Sequence, residues 1–203
     1  MGQPKLTHVP IDAYLFTEIS DNQRYEYHHG ELLAMAGGTL SHSRICTNVS
    51  RALGNAVDDR GTCESFNSEV KVEVKRAGRY VYPDAVVACP RGKESDVIAG
   101  AIVNPRVIVE VLSAGTEAYD LNVKLRYYLL IPTVREYVVI AQDAPLITVY
   151  RREAADSPFT VHLLEGLDQV IELVSLSVQL SVRDFYKNVD LPAEEEEAEE
   201  ERN

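Results

Sequence analysis

Cysteine is scarce in this chain. Cys46, Cys63 and Cys89 are odd in number, widely spaced and free of any CxxC pair, a pattern that argues against both a disulfide framework and a thiolate zinc site. Each reads as a small core residue. Long apolar runs are missing too: nothing approaches the roughly 18 residues that span a bilayer. The opening "MGQPKLTHVP" lacks the apolar core of a secretory signal, so a cytoplasmic location is expected. Positive charge is short, with 20 Lys and Arg against 32 Asp and Glu and a net charge of −12. The C-terminal "AEEEEAEEERN" holds seven glutamates, and taking those charges from −12 leaves −5. A like-charge block of this kind is solvating, so residues 193–203 read as an acidic disordered tail behind a single domain at 1–192. The mildly acidic body argues against coating nucleic acid by phosphate neutralisation alone, yet leaves room for local contact with DNA. Ser113 lacks a GxSxG setting, and Gly37 and Gly38 have neither GxGxxG nor Walker spacing. Serine hydrolase, dinucleotide enzyme and P-loop NTPase are disfavoured.

What is present is a mixture of α and β. "RYEYHHGELLAMAGG" has two β-prone arms around His28, His29 and Gly30 and reads as a hairpin. "SHSRICTNVSRALGNAVDDRG" spaces Ile45, Val49, Leu53 and Val57 by four, with a serine at its start and Gly61 at its end, which predicts an amphipathic helix. "SEVKVEVKRAGRYVYPDAVVAC" alternates valines with Glu69, Lys71, Glu73 and Lys75, then returns through a more apolar run. This predicts a half-exposed strand paired with a buried one. "NPRVIVEVLS" is a strand, "TEAYDLNVKLRYYLLIP" a helix closed by Pro132, and "REYVVIA" and "LITVYRR" are strands. "TVHLLEG" and "VIELVSLSVQLSVRDFY" add further strands and a short terminal helix.

Two carboxylates stand out because each interrupts a buried-looking strand: Asp84 in "VYPDAVVACP" and Glu110 in "RVIVEVL". An unpaired carboxylate moved out of water costs several kcal/mol, so each needs a partner. Two carboxylates from neighbouring strands suit Mg²⁺, which takes one or two such ligands and keeps several waters. At about 100° per residue, Asp120, Lys124 and Tyr127 share a narrow helix sector beside an apolar stripe of Leu121, Leu125, Tyr128 and Leu129. From the rim of that face Lys124 can reach over the sheet to orient a water or neutralise charge on phosphate. The structural alternatives are a turn hydrogen bond for Asp84, an ion pair for Glu110 and a surface i, i+4 pair for Asp120 and Lys124.

"PD" at 83–84, "EVLS" at 110–113 and the spaced Asp120, Lys124 and Tyr128 resemble the Uma-type restriction endonucleases of the PD-(D/E)XK nuclease superfamily. "YEYHHGEL" at 25–32, His42 before the first long helix and "REYVVI" at 135–140 extend the resemblance over roughly residues 24–140. It implies an α+β fold with a restriction-endonuclease-like central mixed sheet flanked by helices, an additional N-terminal hairpin and C-terminal strands. It also implies Mg²⁺- or Mn²⁺-dependent hydrolysis of DNA, with Asp84 and Glu110 as metal ligands. The plain superfamily pattern has lysine two residues after the glutamate, where this chain has Leu112; the resemblance implies a migrated lysine, Lys124. Glu31 and His42 are implied to border the site, together with Asp120 and Tyr128. Adjacent strand residues face opposite ways, so His28 and His29 are read as hairpin residues rather than joint ligands.

On this reading Arg44, Arg51, Lys75, Arg76 and Arg79 are candidates for phosphate contacts. A homodimer is the default expectation for an oligomer. The rival is a catalytically inactive binding or scaffold protein that keeps the nuclease fold, favoured by the acidic body and the absence of a dense basic, aromatic surface. Binding of Mg²⁺ at Asp84 and Glu110 separates the two.

Overall fold

The valine-rich strands of this chain form two six-stranded sheets that pack on each other, and a separate two-stranded ribbon follows near the C-terminus. A computed structural model describes residues 5–6, 8–35, 37–57, 61–113, 115 and 117–192; the acidic segment predicted at 193–203 lies outside the described residues. The chain opens with β1 (Lys5–Leu6), helix α1 (Ile11–Asp21), the hairpin β2 (Tyr25–His28) and β3 (Glu31–Ala34), and helix α2 (Leu40–Val57). Strands β4 (Glu64–Asn67), β5 (Lys71–Val74), β6 (Arg79–Val81), β7 (Ala85–Ala88), β8 (Ala101–Ile102) and β9 (Pro105–Val111) follow. A helical segment comes next: α3 (Glu117–Tyr119), a π-helical turn (Asp120–Lys124) and α4 (Leu125–Leu129). The chain then runs through β10 (Glu136–Ile140), β11 (Leu146–Arg151), β12 (Thr160–Glu165), β13 (Val170–Leu173), β14 (Val178–Ser181) and α5 (Val182–Phe185).

The central sheet has the order β12-β11-β10-β9-β7-β4 and is mixed, since β9 and β10 run parallel while its other pairs are antiparallel. Its two faces separate by residue parity. Ala85, Val87, Val107, Val109, Val111, Val138 and Ile140 pack under Ile45, Val49, Leu53 and Val57 of α2 and under the C-terminal Ile171, Leu173 and Phe185. The spacing of four along α2 thus marks its buried face, as expected. On the opposite face Val86, Ile108, Tyr137 and Val139 meet Tyr128 and the valines of β5 and β6.

The N-terminal hairpin does more than decorate this core. It forms the middle of a second six-stranded sheet, β1-β3-β2-β6-β5-β8, whose outer face holds a tyrosine cluster of Tyr14, Tyr25, Tyr27 and Tyr80 under α1. Helix α1 was not anticipated. Its single fully buried side chain, Tyr14, gives little apolar periodicity to read. The strand expected to be half exposed, β5, is buried on both faces. Lys71 is buried because its Nζ reaches Glu18 Oε2 of α1 at 2.9 Å, so that cation is paired rather than solvated.

The cysteine reading needs correction. Cys63 and Cys89 form a disulfide, with Cα atoms 4.5 Å apart. They flank the Glu64↔Ala88 pair of β4 and β7, an adjacency that a separation of 26 residues conceals. Cys46 is a free thiol.

Candidate active site

Strand register decides where the two isolated carboxylates go. In the antiparallel β7–β9 pair Ala85 stands opposite Val109, so the next residues outward, Asp84 and Glu110, face each other on the same side of the sheet. Both line a pocket of about 90 Å³ between the two sheets. Glu26 of β2, Asp120 and Lys124 of the π-helical turn, and His42 of α2 line it as well.

Lys124 lies at its centre. Its ammonium is 3.0 Å from Glu110 Oε1, 3.1 Å from Glu26 Oε1 and 3.4 Å from Asp120 Oδ1, and it donates to the carbonyl oxygen of Tyr82 at 3.2 Å. The π turn explains the reach. The N–H of Leu125 bonds back to the carbonyl of Asp120, a five-residue spacing that turns the backbone less per residue, so residues four apart come into line. Asp120, Lys124 and Tyr128 therefore share the buried face, where an ideal helix predicted Tyr127. The Tyr128 hydroxyl donates to Glu110 Oε1 at 2.7 Å. Tyr127 instead packs beside His28 and under the Arg79 guanidinium, 4.3 Å from its ring centre.

Asp84 is held differently. Its Oδ2 accepts the Val111 N–H at 2.7 Å and lies 3.5 Å from His42 Nε2. Helix α2 presents His42 in its first turn, where the His42 N–H donates to Thr39 Oγ1 at 3.0 Å in the manner of an N-cap. Thr39 thus occupies the capping place expected for a serine. Gly38 leaves space for the imidazole, since a Cβ there would stand 2.6 Å from His42 Nδ1. Gly38→Ala is accordingly expected to push the ring away from Asp84 without unfolding the chain. The hydrogen bond to Asp84 is the main cause that raises the His42 pKa. NMR titration of Gly38→Ala should therefore find that pKa returned toward the ordinary histidine value, and an unchanged raised pKa would contradict this role for Gly38.

The electrostatics are unbalanced. Four carboxylates and one ammonium give −3 when all are ionised. Burial, followed by the charges of Asp120 and Asp84, holds the Glu110 carboxyl well above its usual range despite the Lys124 contact. Burial also pushes Asp84 up, but the His42 and Val111 hydrogen bonds and Lys124 outweigh it and leave the carboxyl below its ordinary value. Glu26 is likewise opposed by burial. Lys124, His28 and the Tyr119 hydroxyl bring it down to about 2. Lys124 itself is held well above the usual lysine value, because its carboxylate neighbours overcome the cost of burial. It is a fixed ammonium.

The structure brings Asp84, Glu110, Lys124, His42, Asp120 and Tyr128 together. Glu31 is not among the lining residues: in β3 it pairs with His28, two residues along from Leu33, which does line the pocket. The glutamate of the hairpin that enters the site is Glu26, and the sequence reading missed it. Its signal was the one that found Glu110, an acid within a β-prone run, here "YEYH". Tyr119 was missed as well; its hydroxyl donates to Glu26 Oε2 at 2.7 Å. None of the five basic candidates lines the pocket. Arg79 Nη1 meets His28 Nδ1, and its guanidinium lies over the Tyr127 ring. Arg44, Arg51, Lys75 and Arg76 are exposed. His28 is buried in its strand while His29 is exposed at the turn, so the two diverge as expected.

Comparison with known proteins shows the family and the fold. Residues 11–183 match the family model Uma2, described as "Putative restriction endonuclease". Two proteins of Synechocystis sp., "Uncharacterized protein slr1290" and "Uncharacterized protein sll1609", are similar over most of their lengths. The first is 32% identical over 92% of this chain and 94% of its own; the second is 30% identical over 81% and 92%. A crystal structure of a "putative nuclease belonging to DUF820" from Anabaena variabilis superposes with a TM-score of 0.67 at 17% identity, covering 82% of this chain and 91% of that one. That likeness shows a shared fold. The family match spans the central sheet, the second sheet apart from β1, and every residue of the pocket, and the chain belongs to the Uma2 family.

Proposed function

We propose that this protein is a divalent-metal-dependent endonuclease that hydrolyses DNA phosphodiester bonds in the Glu26–Asp84–Glu110–Lys124 pocket. The observation that carries the reading is the excess of negative charge around one ammonium. Glu26, Asp84, Glu110 and Asp120 line the pocket with Lys124 as its one ammonium, and Glu110 remains pushed up, by burial first and then by Asp120 and Asp84, although Lys124 and Tyr128 both contact it. Hard carboxylate oxygens from facing strands fit Mg²⁺ or Mn²⁺, and Asp84 and Glu110 are the residues that would hold it. Bound there, such an ion supplies Lewis-acid polarisation of a phosphoryl oxygen and a water of lowered pKa.

The protein's own groups divide the remaining work. Lys124, a fixed ammonium, donates hydrogen bonds to the attacking water or to the phosphate and opposes the charge that develops there. It does not accept a proton at neutral pH. Glu26, held by Tyr119 and the Tyr82 N–H, anchors Lys124 together with Glu110.

Cleavage of supercoiled, linear and single-stranded DNA with Mg²⁺, Mn²⁺ or chelator tests the reading, with Asp84→Ala as the control. The expected result is metal-dependent cleavage by the wild type only. Metal binding without cleavage of any DNA form would favour the inactive-scaffold alternative.

A further inference from the structure

On the α2 side of the pocket a different donor set converges. His42 and Cys46 are four residues apart, one turn along the same helix face. Cys46 Sγ lies 3.6 Å from His42 Nδ1 and 4.0 Å from Nε2, and His42 Nε2 lies 3.5 Å from Asp84 Oδ2. One ligand atom from each of the three residues falls within 4.8 Å of the others. Zinc bonds of about 2.0–2.3 Å in a tetrahedral arrangement separate neighbouring donors by roughly 3.3–3.8 Å. Through Nε2 the imidazole stands 3.5 Å from the carboxylate and 4.0 Å from the sulfur, so the three donors need only draw together slightly around an ion. All three side chains are partly buried. A core role alone does not account for Cys46, because its sulfur faces an imidazole and a carboxylate rather than only the apolar side chains under α2.

We propose that His42, Cys46 and Asp84 form a second cation site, selective for a transition metal of the Zn²⁺ type. Thiolate and imidazole favour Zn²⁺ or Co²⁺ over Mg²⁺, whereas Asp84 and Glu110 offer only oxygen. Three protein donors leave a fourth position for water. Binding deprotonates the thiol and releases that proton to solvent. Asp84 cannot serve both ions freely, so Zn²⁺ at this site withdraws a ligand from the Mg²⁺ position and inhibits the enzyme. The inhibition rests on the endonuclease reading; the binding does not.

Cobalt titration of the full chain, with the Cys63–Cys89 disulfide left oxidised, tests the site directly. Wild type is expected to take up one Co²⁺ with a thiolate-to-cobalt charge-transfer band in the near ultraviolet, displaced by Zn²⁺. Cys46→Ala should lose the band and bind Zn²⁺ at least about a hundredfold more weakly, beyond what loss of a supporting contact does. The same variant should keep its Mg²⁺-induced thermal shift, which shows that it is folded and that the two sites are distinct. His42→Ala should also lose the band. Absence of the band in wild type, or its survival in folded Cys46→Ala, overturns the proposal. A band in a wild type that shows no Mg²⁺ response and no cleavage would instead sink the endonuclease reading and leave this site standing.

Discussion

Lys124→Met is expected to destabilise the metal-free protein by about 3–5 kcal/mol at neutral pH and to abolish cleavage. Methionine replaces the hydrophobic stem but leaves Glu110, Glu26 and Asp120 without the ammonium that touches all three. The pH dependence follows from the pKa directions. Glu26, lowered to about 2, contributes stability that is present above the ordinary glutamate value and lost as pH falls through about 2. Lys124, raised well above 10.5, contributes stability that is present below its unfolded value and lost as pH rises through its folded one. Without Lys124 the carboxylates titrate upward. The variant should therefore recover stability relative to wild type as pH is lowered from 7 toward 5, and should gain more from Mg²⁺ than wild type does. Chemical denaturation across that range checks this. A pH-independent difference, or retained cleavage, would refute the assignment of Lys124.

Asp84→Asn is the complementary case. Asparagine can still accept the Val111 N–H, and the loss of its charge relieves Glu110, so metal-free stability should fall little. What it loses is the advantage of an ionised Asp84 beside His42 and Lys124. That advantage is present above the ordinary aspartate value and disappears as pH falls through the lowered folded one, so the two proteins converge in acid. The metal response should differ sharply. An ion at a hundred times its dissociation constant contributes about 2.7 kcal/mol, or roughly 5–10 °C in melting temperature for a domain of this size. Wild type should show that shift with Mg²⁺ or Mn²⁺, and Asp84→Asn should lose both it and cleavage. An unchanged shift would remove Asp84 from the metal site.

How much of this was legible depended on whether the signal was local. The α2 stripe and the acids in β7 and β9 were readable because periodicity and isolation within an apolar run need no tertiary knowledge. The carboxylate of the hairpin was placed one strand too late, at Glu31, because the family pattern pointed to the turn. The strand pairing Glu26↔Leu33, which puts Glu26 at the pocket, is visible only in the folded hairpin. Ideal helix geometry places Tyr128 in the packing stripe and only the family resemblance points it to the site, because local periodicity does not signal a π turn. Arg79 reads as an exposed cation until Tyr127 is found beneath it. The disulfide escaped because its cysteines meet only through the β4–β7 register.

Anomalous scattering from Mn²⁺ in crystals of this protein tests the central claim most directly. The account predicts that Mn²⁺ would be held by the carboxylates of Asp84 and Glu110, with Lys124 near it and not a ligand. Ordered Mn²⁺ that touches neither carboxylate, or that binds His42 and Asp84 while leaving Glu110 on Lys124, would contradict it.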